Sequence, residues 1–353
     1  MRTVKITKHI EIVSSTNCAL SSMSLESRRA IQAVLSKHYS HVGITIVNNL
    51  SDLEALVASC PDLVFLGMKF IPVNSYLGAF GPNKIWLGRY LGERGIAYTG
   101  SDHKAHKLEL NKHLAKQRVL DAGFETAPYC VLKQGQIPIV RGVTLTYPLF
   151  VKPTNRGGGS GIDSNSIVHN FGELKSKVES IATDLQSDSL IEEYLEGREF
   201  SVAILKKEYS PRFSVMPIEL ITPPDKNGER FLGNEAKSSN VEQAIKVRDG
   251  VIKSKVSELA LNIFRSLGGQ DYGRIDIRLD KYNVPQFLEA NLIPSLISGY
   301  GSFPKACMLN AGLDYEHMIL HITQLGLARS TNSIEPNFES STTTGAFSSL
   351  GTA

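Results

Sequence analysis

The sequence predicts a mixed α/β and α+β chain, an open α/β layer at the N-terminus followed by α+β units. Three observations predict it. Over the first hundred residues apolar strand-like runs alternate with helical runs, as parallel pairing with crossover helices requires. After about residue 125 short strands dominate. One later stretch, YGRIDIRLDKYNVPQFLEAN, alternates apolar and charged residues with period two, as an antiparallel hairpin does. The 353 residues suit two or three compact units at about 100–200 residues each. With 42% hydrophobic and 21% charged residues, packed cores are within reach and global disorder is excluded.

The elements follow in order. Strands are expected at 4–13, 42–47 and 62–66, with a helix at 25–38 between the first two. Ser51, with Glu54 three residues on, reads as a capping box opening a short helix. A loop with glycine and proline and a helix ending near Gly95 complete the layer. No G-x-G-x-x-G follows any of these strands, so a dinucleotide fingerprint is absent. One long helix is expected over 102–123, stopped by Gly123, with Ala105, Leu108, Ala115 and Val119 on one face and Lys112 inside that stripe. A lysine there either snorkels to water or reaches a buried anion. Strands are expected at 129–132, 147–152, 166–169, 190–194, 199–205 and 212–220. Asn170 and Glu173 should cap a helix running to about 185. Residues 222–240 are polar and carry Pro223, Pro224, Gly228 and Gly233, the composition of a lid or binding loop. An amphipathic helix then buries Val256, Leu259, Ala260, Ile263, Phe264 and Leu267. After the hairpin a last helix closes near Leu325, and residues 330–353, rich in Ser, Thr and Gly, are expected to lack structure.

Composition removes several function classes. A formal charge of +3 gives no basic stripe for nucleic acid. No apolar run nears the roughly 20 residues that span a bilayer. The N-terminal MRTVKITKHIEIVSS lacks the apolar core of a signal peptide. Cys18, Cys60, Cys130 and Cys307 are far apart, which suits a reducing cytoplasm. The histidine pairs His103/His106 and His317/His321 stand at helical spacing, where surface exposure is the expectation and zinc has no third ligand.

Two segments carry chemistry. In the hairpin Ile275, Ile277 and Leu279 share one face, while Arg274, Asp276, Arg278 and Asp280 share the other. A turn at 281–283 brings Glu289 and Asn291 back beside Asp276. This is either a solvated charged face or a hard-oxygen site for Mg²⁺, since neighbouring carboxylates repel unless a cation sits between them. In YPLFVKPTNRGGGSGI a strand delivers Lys152, and five of the nine positions after Pro153 are glycine or serine. Such a loop exposes backbone N–H groups to phosphate oxygens, although no G-K-[ST] makes it a Walker loop.

Taken together these segments resemble an ATP-grasp ligase of the D-alanine–D-alanine ligase family, over about residues 98–313. GRIDIRLD with FLEAN is similar to the family's metal-binding strand pair, YTGSDHKAHKLELNKHLAKQRVLDAGF to its central-domain entry, and FVKP with the glycine loop to its phosphate-covering loop. IEEYLEGREFSVAIL resembles the adenine hinge, and NEAKS the mobile loop. The resemblance implies a three-part ATP-grasp fold: an N-terminal open α/β domain (1–101), a central subdomain (102–195), a C-terminal catalytic subdomain (196–329) and a tail (330–353). It implies that Lys112 and Lys152, with Gly157, Gly158, Gly159 and Ser160, hold the ATP phosphates. Glu192, Glu193 and Leu195 would present the adenine hinge and Glu199 the ribose contact. Asp276, Glu289 and Asn291 would hold two Mg²⁺ ions, or Mn²⁺ in their place. Arg274 and Lys237 would stabilise the transferred phosphoryl group.

The implied reaction is ATP-dependent carboxylate–amine ligation through an acyl phosphate, joining amino acids or an amino acid and a small amine. The implied partners are small molecules, with neither nucleic acid nor membrane, in a cytoplasmic homodimer. A true D-alanine–D-alanine ligase and a weakly catalytic ATP-binding protein are the rival readings. Departures fall on the substrate side. Gly158 and Gly159 replace two serines of the family, and Tyr300 stands near the place of a third. LGMKFIPVNSYLGAFGPN replaces H-G-x-x-G-E-D-G, and SSTNCALSSMSLES offers no equivalent of the family's N-terminal glutamate.

Overall fold

The computed structural model describes residues 4–21, 23–74, 81, 83–139, 144–224, 228–231 and 242–332. The chain opens with β1 (Ile6–Ser14), α1 (Leu25–His38), β2 (Tyr39–Ile46), α2 (Leu50–Ala58), β3 (Leu63–Leu66), β4 (Phe70–Pro72), β5 (Lys84–Trp86), α3 (Leu87–Gly92) and β6 (Ala97–Tyr98). Strands β2-β1-β3-β6 form a parallel sheet, and β4 pairs with β5 alongside it. One face of the sheet buries Ile10, Ile12 and Phe65 against Ile31 and Leu35 of α1. The other buries Val13, Val64 and Leu66 against Leu53 and Leu56 of α2 and Leu87 and Leu91 of α3. Covering both faces is what lets the central β3 be continuously apolar.

The capping box of α2 differs from the expected one. Asn49, in extended backbone, accepts from the Asp52 N–H, and Asp52 accepts from the Asn49 N–H. Ser51 and Glu54 therefore lie inside the helix. An asparagine two residues earlier meets the same orphan donors and starts the helix sooner.

The expected long helix is two helices, α4 (His103–Leu110) and α5 (Lys112–Asp121). Asp102 caps α4 through the N–H groups of Lys104 and Ala105. Asn111 leaves helical backbone at φ −108°, ψ 92°. The Lys112 N–H, now at the first position of α5, donates to the Thr154 carbonyl at 3.0 Å. A tertiary hydrogen bond thus replaces the intrahelical one, and helix propensity yields to it. Gly123 takes φ +80° just past α5, as expected of a glycine terminator.

A second, antiparallel sheet follows from β7 (Tyr129–Leu132), β8 (Leu149–Pro153), β9 (Ile167–Val168), α6 (Phe171–Asp184) and β10 (Ser189–Glu193), in the order β7-β10-β8-β9. Asn170 caps α6 through the Glu173 N–H, as its sequence predicts. The third sheet uses β11 (Glu199–Lys206), β12 (Phe213–Ile221), β13 (Gln243–Lys246), α7 (Gly250–Ser266), β14 (Tyr272–Leu279) and β15 (Pro285–Asn291), ordered β13-β12-β11-β14-β15 and wholly antiparallel. Its inner face packs Phe200, Val202, Ile275 and Ile277 against Val256, Ala260, Ile263 and Phe264 of α7.

Two helices end the described chain, α8 (Ser302–Ala311) and α9 (Tyr315–Asn332). Met318, Ile319 and Ile322 of α9 return to the first sheet, in a core that also takes in Ala203, Leu205 and Met216 of β11 and β12. Helix α9 runs three residues into the stretch expected to lack structure, and residues 333–353 lie outside the described part. Among the described residues, no helix is long and apolar enough to cross a membrane.

Candidate active site

The site is built where the second and third sheets face each other. One cleft is lined by Lys112 and Lys152 on one side, by Arg274, Asp276, Glu289 and Asn291 on the other, and by Glu192, Glu193, Leu195 and Glu199 between them. Gly158 and Gly159 line the cleft, whereas Gly157 and Ser160 are not among its lining residues. Lys237 lies outside the described residues, as do 225–227 and 232–240 of the expected lid.

The hairpin register places the acidic pair. Asp276 stands directly opposite Glu289, and Arg274 opposite Asn291, with a bulge between Asp276 and Ile277. A bulge re-aims side chains, and here it keeps Glu289 and Asn291 on the face of Asp276 while Phe287 turns to the core. The charged face is not solvated: the Arg274 and Asp276 side chains are only 15% and 10% exposed. Arg274 grips Asp276 with two bonds, Nε to Oδ1 at 2.9 Å and Nη2 to Oδ2 at 2.7 Å. Ser201 donates to Asp276 Oδ1 at 2.8 Å, and Asn291 Nδ2 lies 3.2 Å from Oδ2. Burial works against the Arg274 guanidinium, but Asp276, then Glu289 and Glu199, raise its pKa above the ordinary value.

Two facing carboxylates and an amide are hard-oxygen donors of the kind Mg²⁺ takes. Rotating the Asn291 amide exchanges its NH₂ for its oxygen at that point, so the three residues fit such an ion. Among the described residues no trio of His, Cys, Asp and Glu forms a metal cluster, so any further ligands of an ion would come from water or substrate.

The opposite wall is cationic. The break at Asn111 sets Lys112 at the start of α5, where its ammonium donates to the Arg156 carbonyl at 2.5 Å and lies 3.5 Å from Glu289 Oε2. Lys112 is 8% exposed and its ammonium faces the half-buried Glu289 across the cleft, so it does not snorkel to water. Lys152, near the end of β8, lies 2.5 Å from Glu192 Oε1. The glycine loop begins just beyond it, and Gly158 and Gly159 adopt φ +68° and +87°, a region that disfavours any side chain. Glu193 accepts from the Thr146 N–H and donates its own N–H to the Pro128 carbonyl. Glu199 stands opposite Arg278, whose guanidinium lies 3.4 Å from it, donates to the Tyr194 hydroxyl at 3.0 Å and covers the Tyr194 ring.

Several residues were not legible as site residues. Lys116, fully buried, holds the second oxygen of Glu192 at 2.9 Å. Its position one turn after Lys112, beside Ala115 and Val119, was the available signal. Arg278 was legible only as a charge on the hairpin face. His106, expected at the surface, is 1% exposed and paired with Glu109 at 2.9 Å. The cause is a tertiary cluster, for Glu109 also takes Lys69 at 2.7 Å and the Leu292 N–H at 2.7 Å, one residue beyond Asn291. His317 is exposed as expected, and the His321 Nε2–H donates to the Lys206 carbonyl at 2.7 Å.

Comparison with known proteins follows the same lines. Residues 119–324 match the family model described as D-ala D-ala ligase C-terminus. An uncharacterized protein, y4sG, of Sinorhizobium fredii is 31% identical over 229 residues, 64% of this chain and 65% of that protein, so the chain spans just under two thirds of it. A D-alanine–D-alanine ligase of Geobacter sulfurreducens is 27% identical over 307 residues, covering 85% of this chain and 88% of the ligase. Among solved structures, the D-alanine–D-alanine ligase of Bacillus anthracis complexed with ATP superposes with a TM-score of 0.70 at 20% identity, over 93% of this chain and all of that one. The last likeness is one of fold.

Proposed function

The chain belongs to the D-ala D-ala ligase C-terminus family, whose relatives are ATP-grasp carbon–nitrogen ligases, and from that premise we propose that its cleft binds Mg²⁺·ATP and joins a carboxylate to an amine. One observation carries the reading: Asp276 directly opposite Glu289, on the sheet face across the cleft from Lys112 and Lys152. Phosphoryl transfer asks a protein chiefly for positioned cations, and this cleft supplies them.

In this reading Lys112, Lys152 and the loop N–H groups around Gly158 and Gly159 hold the phosphates, with Lys237 as a further phosphate contact. Glu192, Glu193 and Leu195 face the base, and Glu199 takes the ribose hydroxyls. Asp276, Glu289 and Asn291 would hold Mg²⁺, which when bound neutralises phosphate charge. Arg274 stabilises negative charge as the carboxylate oxygen attacks the γ-phosphorus and ADP leaves. An amine then attacks the acyl phosphate, the C–O bond to phosphate breaks, and phosphate departs. Excluding water from the cleft protects the acyl phosphate from hydrolysis.

The substrates are proposed to be two amino acids, or an amino acid and a small amine, other than two D-alanines. Gly158 and Gly159 supply no hydroxyl, and Tyr300 lines the cleft beside Gly301 and Ser302. A site without the hydrogen-bonding groups that grip a substrate discriminates poorly in its favour. The test is product formation by mass spectrometry, with phosphate release, over a matrix of D- and L-amino acids and amines. Coupled product and phosphate from pairs other than D-alanine with itself are expected. Efficient, exclusive D-alanyl-D-alanine synthesis would refute the substrate proposal, and no ATP-dependent product from any pair would refute ligation.

A further inference from the structure

In the wall of the cleft one buried carboxylate serves two buried ammonium groups. Glu192 is 2% exposed, with Lys152 2.5 Å from Oε1 and Lys116 2.9 Å from Oε2. The two lysines differ in setting. Lys116 is fully enclosed in α5, and its ammonium also donates to the Thr126 hydroxyl at 2.5 Å and lies 3.4 Å from the Phe287 carbonyl. Thr126 in turn donates to the same Phe287 carbonyl at 2.8 Å, so Lys116 is bolted to the hairpin that carries Glu289. Lys152 sits at the mouth of the glycine loop and lines the cleft.

The cluster holds two positive charges and one negative. Burial alone would raise the Glu192 pKa, yet Lys116 and then Lys152 hold it below the ordinary carboxylate value. Burial pulls the Lys116 ammonium down, Glu192 opposes this, and Lys152 adds to it. Of the two ammonium groups, only that of Lys152 lines the cleft, so the surplus positive charge stands where a phosphate oxygen can take it. If Lys152 leaves for a phosphate oxygen, Glu192 and Lys116 remain as a neutral pair. Without Lys116 the same movement would strand a buried carboxylate, which is strongly unfavourable.

We propose that Lys116 is a positioning residue: as the resident counter-ion of Glu192 it releases Lys152 to bind nucleotide phosphates. This rests on the reading of the cleft as an ATP site. It predicts that Lys116 matters for phosphate binding only while Glu192 carries its charge.

The test is a double-mutant cycle of Lys116→Met and Glu192→Gln in the full chain. The ligands are Mg²⁺ with a non-hydrolysable ATP analogue and Mg²⁺ with inorganic triphosphate, measured by calorimetry. Triphosphate has no base, so its affinity is independent of any contact between Glu192 and adenine. Lys116→Met should weaken both ligands by about tenfold and raise KM for ATP more than it lowers kcat, while in the Glu192→Gln background the same change should have little effect, a coupling of ordinary size for neighbouring charges. Equal losses in both backgrounds would overturn the proposal, because a merely structural lysine gives additive effects. If melting curves show that Lys116→Met does not fold, Glu192→Gln and Lys116→Met/Glu192→Gln carry the test. Equal triphosphate affinity in those two supports the proposal, and a tenfold difference overturns it. If wild type binds neither ligand, the ATP reading falls and this inference with it. Binding in wild type with an additive cycle removes this inference alone.

Discussion

Replacing Glu109 by glutamine should remove a defined, pH-dependent share of the stability. Its carboxylate is enclosed by Lys69 at 2.7 Å, His106 at 2.9 Å and the Leu292 N–H at 2.7 Å. Burial alone would raise its pKa, but Lys69 and His106 outweigh burial and hold it at about 2 against an ordinary 4.5. A carboxylate whose folded pKa is depressed stabilises the fold above its unfolded pKa, and that stabilisation is lost as pH falls through the folded value. The window therefore runs from about 4.5 down to about 2. At 1.36 kcal/mol per pH unit, the gap corresponds to about 3 kcal/mol. Glutamine keeps the shape and an oxygen for the Leu292 N–H, while the charge is lost and the oxygen facing His106 becomes an NH₂. Urea denaturation of both proteins at pH 7, 4.5 and 3 reads the effect. Wild type should be more stable by about 3 kcal/mol at pH 7, with the difference shrinking steadily between pH 4.5 and 3. A difference that is the same at all three pH values would refute the reasoning, since it would not come from the ionised carboxylate.

Further outcomes follow from the cleft. Asp276→Ala together with Glu289→Ala should abolish the Mg²⁺ dependence of ATP-analogue binding in calorimetry, and unchanged affinity would contradict the metal assignment. Arg274→Ala should lower kcat on the best substrate pair by about 10²–10³, the usual loss for one positioned electrostatic stabiliser, and an unchanged kcat would remove its role. Gly158→Ser should lower the melting midpoint through about 1–2 kcal/mol of backbone strain at φ +68°, despite open space around the added Cβ, and an unaltered midpoint would contradict that conformation.

Much of this site was legible in the sequence because its signals are local. Period-two alternation over Tyr272–Leu279 and Pro285–Asn291 placed Asp276 and Glu289 on one face, and the register sets them opposite each other. Lys152 before a glycine-rich run, and Asn170 with Glu173, were equally local. What escaped depends on partners distant in the chain. The helix over 102–123 breaks at Asn111 because the Thr154 carbonyl, 42 residues on, takes the Lys112 N–H. His106 is buried because Lys69 and Leu292 converge on Glu109 from opposite ends of the sequence. Lys116 read as one more charge on a helix until Glu192 was brought against it. No periodicity encodes such meetings.

The central claim is that this cleft activates a carboxylate by phosphorylation, and oxygen transfer tests it most directly. The best pair from the substrate matrix is run with the carboxylate of the first substrate labelled in both oxygens with ¹⁸O, and the released phosphate is analysed by mass spectrometry. The account predicts one labelled oxygen in each phosphate formed alongside product, because the carboxylate oxygen that attacks ATP leaves on phosphate. Unlabelled phosphate, or label carried away on AMP, would contradict it.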